Sequence, residues 1–201
     1  MKIRIIPLCL AFATSLGLAQ ESQNPVKPGA AEHAAMLKAL QRGKQITVRN
    51  EQYQVLPEVI AVMRRSLRET PQQAIAPLGA DAGQIIETKG RFVLFRSAPR
   101  KAAMVEELGG AAVYPIVLNA RTGTLGVLNG TLVVMPKRMG DVADLAKQHG
   151  LNIEREYPHI RTVFFRVKAN VDIVDAATAL RSDPRTENAY PEIIEYLRVP
   201  K

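Results

Sequence analysis

Residues 131–201 read TLVVMPKRMGDVADLAKQHGLNIEREYPHIRTVFFRVKANVDIVDAATALRSDPRTENAYPEIIEYLRVPK. Thr131 to Met135 is a β-branched, apolar run, opened by the turn pair Asn129-Gly130 and closed by Pro136. Asp141 stands where an N-cap belongs. Val142, Leu145, Ala146 and His149 recur at i, i+3, i+4 and i+7, so a helix runs to His149 with Gly150 as its left-handed stop. A strand follows over Asn152 to Tyr157, then a turn at Pro158-His159. In the next strand, Thr162 to Lys168, the side chains of Val163, Phe165 and Val167 point one way and those of Thr162, Phe164 and Arg166 the other. Asn170 or Asp172 caps a second helix with the stripe Ile173, Ala176, Ala177 and Leu180. Asp183-Pro184 ends it, because the residue before proline avoids the helical region. A last strand covers Thr186 to Glu195.

Strand, helix, strand, strand, helix, strand is the ferredoxin-like order, with two helices on one face of a four-stranded antiparallel sheet. The other face is then without helices. It should carry Phe164, Tyr190 and, from the first strand, Val133 with Met135. A sheet face turned to solvent normally alternates apolar-in with polar-out. Apolar and aromatic side chains on the uncovered side mark a surface for a partner.

The pieces TLVVMP, KQHGLNIEREYPHI, FFRV and DIVDAATALRSDPRTENAYPE resemble the propeptide and inhibitor domains of subtilisin-like serine proteases. Upstream, YPIVLNARTGTLGVLNGTLVV resembles the family of external chaperones for secreted subtilisin- and kexin-like proteases, in which a small N-terminal domain precedes the propeptide-like one. The resemblance implies a chaperone and inhibitor that packs its open sheet face on the protease. Its C-terminal tail then lies along the substrate cleft like a cleaved product. The implied protease-binding residues are Val133, Met135, Phe164, Tyr190 and Glu192, with Arg198, Val199, Pro200 and Lys201 in the tail. Lys201 would fill the pocket before the scissile bond, and Pro200 the next one back. On this reading nothing after Lys201 remains to be cut, and a basic residue there suits a kexin-like enzyme.

Residues 1–19 read as a secretory signal peptide. Lys2 and Arg4 form the positive region, Ile5 to Leu18 the apolar core, and Gly17-Leu18-Ala19 a small-residue cleavage site. The apolar run is shorter than the roughly 20 residues of a spanning helix, so no membrane contact is expected after cleavage. The expected compartment is the periplasm or the medium. Cys9 is the only cysteine, so the processed chain folds without a disulfide. The formal net charge is +8, with Arg64, Arg65 and Arg68 clustered in the first half. Nucleic-acid binding wants basic residues interleaved with aromatics on one surface, and the expected export of the chain argues against a nucleic-acid partner. The charge reads instead as a solvated basic surface that assists encounter with an acidic partner.

Residues 20–29 are polar with two prolines and read as a disordered leader. From residue 30 to 128 a small α+β domain of hairpins and helices is expected. Glu32 to Arg42 has helical spacing, and ITVR and QYQVL form a hairpin near Asn50-Glu51. Pro57 to Leu67 reads as a helix with proline in its first turn, and Thr70 to Gly83 as a loop. IIET and RFVLF form a second hairpin over Lys89-Gly90, Lys101 to Leu108 reads as a helix, and YPIVLN with TLGVL closes a third hairpin. The propeptide-like domain then takes 129–197 and the tail 198–201.

No chemistry of its own is legible in the chain. His33, His149 and His159 lack metal-ligand spacing, and His149 fits a cation at a helix C-terminus. No nucleophile elbow surrounds Ser22, Ser66, Ser97 or Ser182. Glu106-Glu107 and Glu154/Glu156 read as solvated charge rather than an acid/base pair. A non-enzyme without metal or cofactor is therefore expected, monomeric when free. The alternative function is a periplasmic structural or adaptor protein that uses the open face for dimerisation or another partner, since folds of this kind host many functions.

Overall fold

The computed structural model describes residues 43–99, 103, 105–169 and 171–195. The expected signal peptide, leader and first helix lie outside the described residues, as do Asn170 and the tail from 196 onward. The described chain is mostly antiparallel sheet with a few helices, an α+β fold in which ten strands join in one sheet.

The first hairpin pairs β1 (Gln45–Val48) with β2 (Glu51–Met63). Ile46 and Val48 turn inward while Gln45 and Thr47 face solvent. Arg49 and Asn50 make the turn with φ of 48° and 68°, the sign pattern of a type I′ turn. The sequence reading ended this strand at Leu56 and began a helix at Pro57. The structure instead continues β2 to Met63. Val59, Ile60, Ala61 and Val62 are all buried. A short apolar run buried on both sides is a central strand, although its spacing also fits a helix. Pro57 falls in the register shift between Leu56 and Ile60, where a missing N–H costs no ladder bond.

The expected loop after Thr70 contains a short helix, α1 (Pro71–Ile75). Thr70 accepts from the Gln73 amide while the Gln73 side chain accepts from the Thr70 amide, a capping box. β3 (Ile85–Lys89) and β4 (Phe92–Arg96) form the second hairpin. Residues 106–108 are strand rather than helix. They form β5 (Glu106–Leu108), folded against β6 (Ala111–Asn119) through Gly109-Gly110, with φ of 55° and 74°.

β7 (Leu125–Pro136) completes the third hairpin and does not stop at Asn129-Gly130. It passes through that pair as a bulge: Leu132 faces Pro191, Leu128 faces Ile193, and Gly130 takes φ of 86°. This strand is the spine of the molecule. Its first part pairs with β6 and its second with β9 (Thr162–Arg166), while β10 (Thr186–Ile194) runs along both parts. β8 (Asn152–Tyr157) pairs with β9 and forms the outer edge. The C-terminal strand order is β10-β7-β9-β8.

The helices α2 (Val142–His149) and α3 (Ile173–Ser182) lie where periodicity puts them. Of the two candidate caps, Asp172 accepts from the amides of Val174 and Asp175. Leu145 and Ala146 of α2 and Ile173, Ala177 and Leu180 of α3 share a core with Leu132, Val134, Val163 and Phe165. These sheet residues alternate with Val133 and Phe164, which face the other way. In the N-terminal half, Leu56, Leu94 and Ile116 fill one core cluster, and Ile60, Val62, Phe95 and Ile75 of α1 fill another. Lys44 bridges the halves, its ammonium 2.9 Å from Asp172 and 2.8 Å from Asp175.

Candidate partner-binding face

Strand pairing fixes which side chains stand side by side. Tyr190 of β10 faces Val133 of β7, and Val133 faces Phe164 of β9, so the three form a row across the sheet. One step along, Asn188 faces Met135, and Thr162 faces Tyr157 of β8. The Tyr157 ring meets Phe164 edge-on, centroids 5.6 Å apart at 70°, an arrangement aromatic quadrupoles favour. Ile160, in the turn between β8 and β9, stands 55% exposed beside them.

Four of the residues singled out in the sequence, Val133, Met135, Phe164 and Tyr190, therefore line one concavity. Glu192 lies outside it, in an adjoining trough with Glu51, Tyr53 and Glu195. Arg198, Val199, Pro200 and Lys201 lie outside the described residues. Arg49, Tyr157, Ile160 and Asn188 complete the concavity and were not identified from sequence. Strand parity opposite Thr162 could have placed Tyr157. No local signal places Arg49, which arrives from the other half of the chain.

The face is also less open than expected. Val133 is 6% exposed and Tyr190 8%, while Met135 and Phe164 are half-buried. The first hairpin covers the Tyr190 end. Arg49 donates to the Tyr190 hydroxyl from Nε at 3.0 Å and Nη2 at 2.9 Å, its guanidinium 5.3 Å from the ring centroid. At the β8 side Arg155 donates to the Tyr157 hydroxyl at 2.9 Å. Exposed apolar surface remains around Met135, Tyr157, Ile160 and Phe164.

Beyond this apolar part the face becomes polar. The Asn129 amide donates to Glu192 at 2.6 Å, and Thr131 donates to Glu154 at 3.0 Å. Arg166 donates to Glu154 at 2.8 Å and to the Asn129 carbonyl at 2.5 Å. In the trough the buried Asn119 amide donates to Glu51 and Glu195. Arg121 and Asn119 hold the Glu51 carboxyl below its ordinary range. Burial, with the nearby Glu195 and Glu51 carboxylates, pushes the Tyr53 hydroxyl up to about 12. An apolar centre with a polar rim is the anatomy of a protein-recognition surface. Among the described residues no group of three His, Cys, Asp or Glu is placed to hold a metal.

The family model described as Open reading frame 2 N-terminal domain matches residues 26–200. Among solved structures, one chain of the crystal structure of the Aeromonas sobria serine protease (ASP) and chaperone (ORF2) complex is similar at 22% identity. The TM-score is 0.37, over 49% of this chain and 99% of that one. No match is found among curated proteins.

Proposed function

Since the chain belongs to the Open reading frame 2 N-terminal domain family, we propose that it is a chaperone and inhibitor of a subtilisin- or kexin-like serine protease. The observation that carries this reading is the row Tyr190–Val133–Phe164, extended by Tyr157 and Ile160, on the sheet face away from α2 and α3. It agrees with the propeptide-like pieces of the sequence. The order β10-β7-β9-β8 with two helices supports a ferredoxin-like reading of this half.

Such a face acts without chemistry. A protein that binds the native protease and not its unfolded chain stabilises the fold by mass action. If the same protease surface forms in the folding transition state, maturation also accelerates. Inhibition follows when residues 198–201 occupy the substrate cleft as an extended strand, held by main-chain hydrogen bonds. A segment anchored by a folded domain loses less entropy there than a free peptide.

The direct trial is refolding of a denatured, propeptide-free protease of this class with and without the protein. Higher recovered activity is expected after the inhibitor is removed, and equal recovery rejects the chaperone role. Deleting Val199 to Lys201 should relieve inhibition while leaving much of the binding, and unchanged inhibition takes the tail out of the mechanism. Export with removal of residues 1–19 is part of the proposal. Met1 still present on protein recovered from the periplasm or medium would refute it.

A further inference from the structure

Among the described residues, three that are not glycine have left-handed backbone: Arg49, Asn50 and Arg161, with φ of 48°, 68° and 46°. All three sit in the two turns that frame the apolar concavity. Arg49-Asn50 closes the first hairpin, and Arg161 follows Ile160 at the other end. Left-handed residues that are not glycine store strain, and such strain gathers at functional sites. Asn-Gly or Gly-Gly would make the β1–β2 turn at less cost. With Arg49 there, a guanidinium is held over the Tyr190 ring by two hydrogen bonds.

Among the described residues Arg49 and Arg155 have no carboxylate within ion-pair distance, each being held by a tyrosine hydroxyl instead. Glu154 and Glu192 act on Arg155 only at longer range, their hydrogen bonds going elsewhere, Glu154 to Arg166 and Thr131, and Glu192 to Asn129. Arg161 has Glu187 at 3.6 Å. The apolar concavity is thus flanked by two fixed cations with donors to spare, and Arg49 is the one charged residue in its lining. The acids Glu51, Glu192 and Glu195 gather in the neighbouring trough, which Arg49 also lines, so a partner carboxylate meets Arg49 from the side of the apolar concavity.

The geometry points to a partner segment with an apolar ridge flanked by carboxylates, the ridge on Tyr157, Ile160 and Phe164 and the carboxylates on Arg49 and Arg155. This rests on the docking reading above and adds the charge of the partner and a task for the N-terminal half. The first hairpin brings in the cation that discriminates among partners. Guanidinium–carboxylate pairs at an interface rim set specificity and encounter rate.

Two short amphipathic peptides test this, both with leucines on one face, flanked by glutamates in one and by lysines in the other. Their affinities for the whole protein are read by fluorescence anisotropy. The glutamate peptide should bind about tenfold more tightly at low salt, and the preference should fade at about 0.5 M salt. Arg49→Gln with Arg155→Gln should remove it, and Arg49→Lys should retain most of it. Arg65→Gln with Arg68→Gln lowers the net charge by the same two units beyond the far end of β2 and should change nothing. Equal affinities, a preference for lysine, or a preference that survives the double replacement overturns the inference. If both peptides bind equally and Phe164→Ala abolishes both, the docking reading stands without the charge rule. If neither binds, the inference falls and the refolding trial decides the docking reading by itself.

Discussion

Asp183 is a buried carboxylate at the end of α3, where the sequence offered only a helix-ending Asp-Pro. Arg185 donates to it from Nε at 2.9 Å, from Nη2 at 2.7 Å and from its amide at 3.0 Å, and His149 lies 3.1 Å away. The Arg185 hydrogen bonds, with help from His149 and against the cost of burial, hold the carboxyl well below the usual range. A depressed folded-state value adds stability above the unfolded value of about 3.9, lost as pH falls through and below it. Asp183→Asn should cost roughly 1–3 kcal/mol near neutrality and flatten the loss below about pH 4. Denaturant titrations across the acid range check both effects. Tyr53 has the opposite sign. Its folded-state value of about 12 exceeds the unfolded value of about 10. The stability it contributes is complete below about pH 10 and disappears as pH rises toward 12. Tyr53→Phe should remove this alkaline decline, and an unaltered profile in the same titration would contradict the assignment. The sequence placed His149 in the last turn of a helix, but its partner Asp183 lies 34 residues further along, so the cluster was not legible.

The C-terminal elements were legible because each carries its own punctuation. Gly150 stops α2, Asp172 caps α3, and Pro158 turns the chain between β8 and β9. The N-terminal misreadings have separate causes. Pro57 resembles the first turn of a helix, yet tertiary pairing on both sides of Val59 to Val62 decides for strand. The strand Glu106–Leu108 was signalled by Gly109-Gly110, a hairpin pair that outweighs helical spacing in so short a run. At Thr70 the signal was present as well, in Thr70, Pro71 and Gln73 at the N-cap, N1 and N3 positions. Asn129-Gly130 reads as a hairpin turn and is a bulge, because β10 supplies a continuous partner on the far side. A Cβ on Gly130 would lie 3.0 Å from Val105 Cγ2, and left-handed backbone costs any other residue about 1–2 kcal/mol. Gly130→Ala should therefore lose at least that much, with faster amide exchange at Val167, whose N–H donates to the Gly130 carbonyl at 3.0 Å.

Across the whole molecule the two halves share β7, and Lys44 bonds the first hairpin to the first turn of α3. Denaturant unfolding should then be one transition, coincident by circular dichroism and tyrosine fluorescence. Separate transitions would mean that β7 does not couple the halves. Sequence identified the aromatic face because strand alternation is local, and it missed the covering hairpin because nothing near Arg49 names Tyr190. The pairing of β10 along β7 has a kinetic consequence. Lys89 reaches across the sheet to donate to the Glu195 carbonyl at 3.1 Å, and the ladder between residues 127 and 136 stays half-made until residues 186–194 have left the ribosome. Contacts so distant along the chain close slowly. The nascent protein is committed to its native topology only once β10 has emerged.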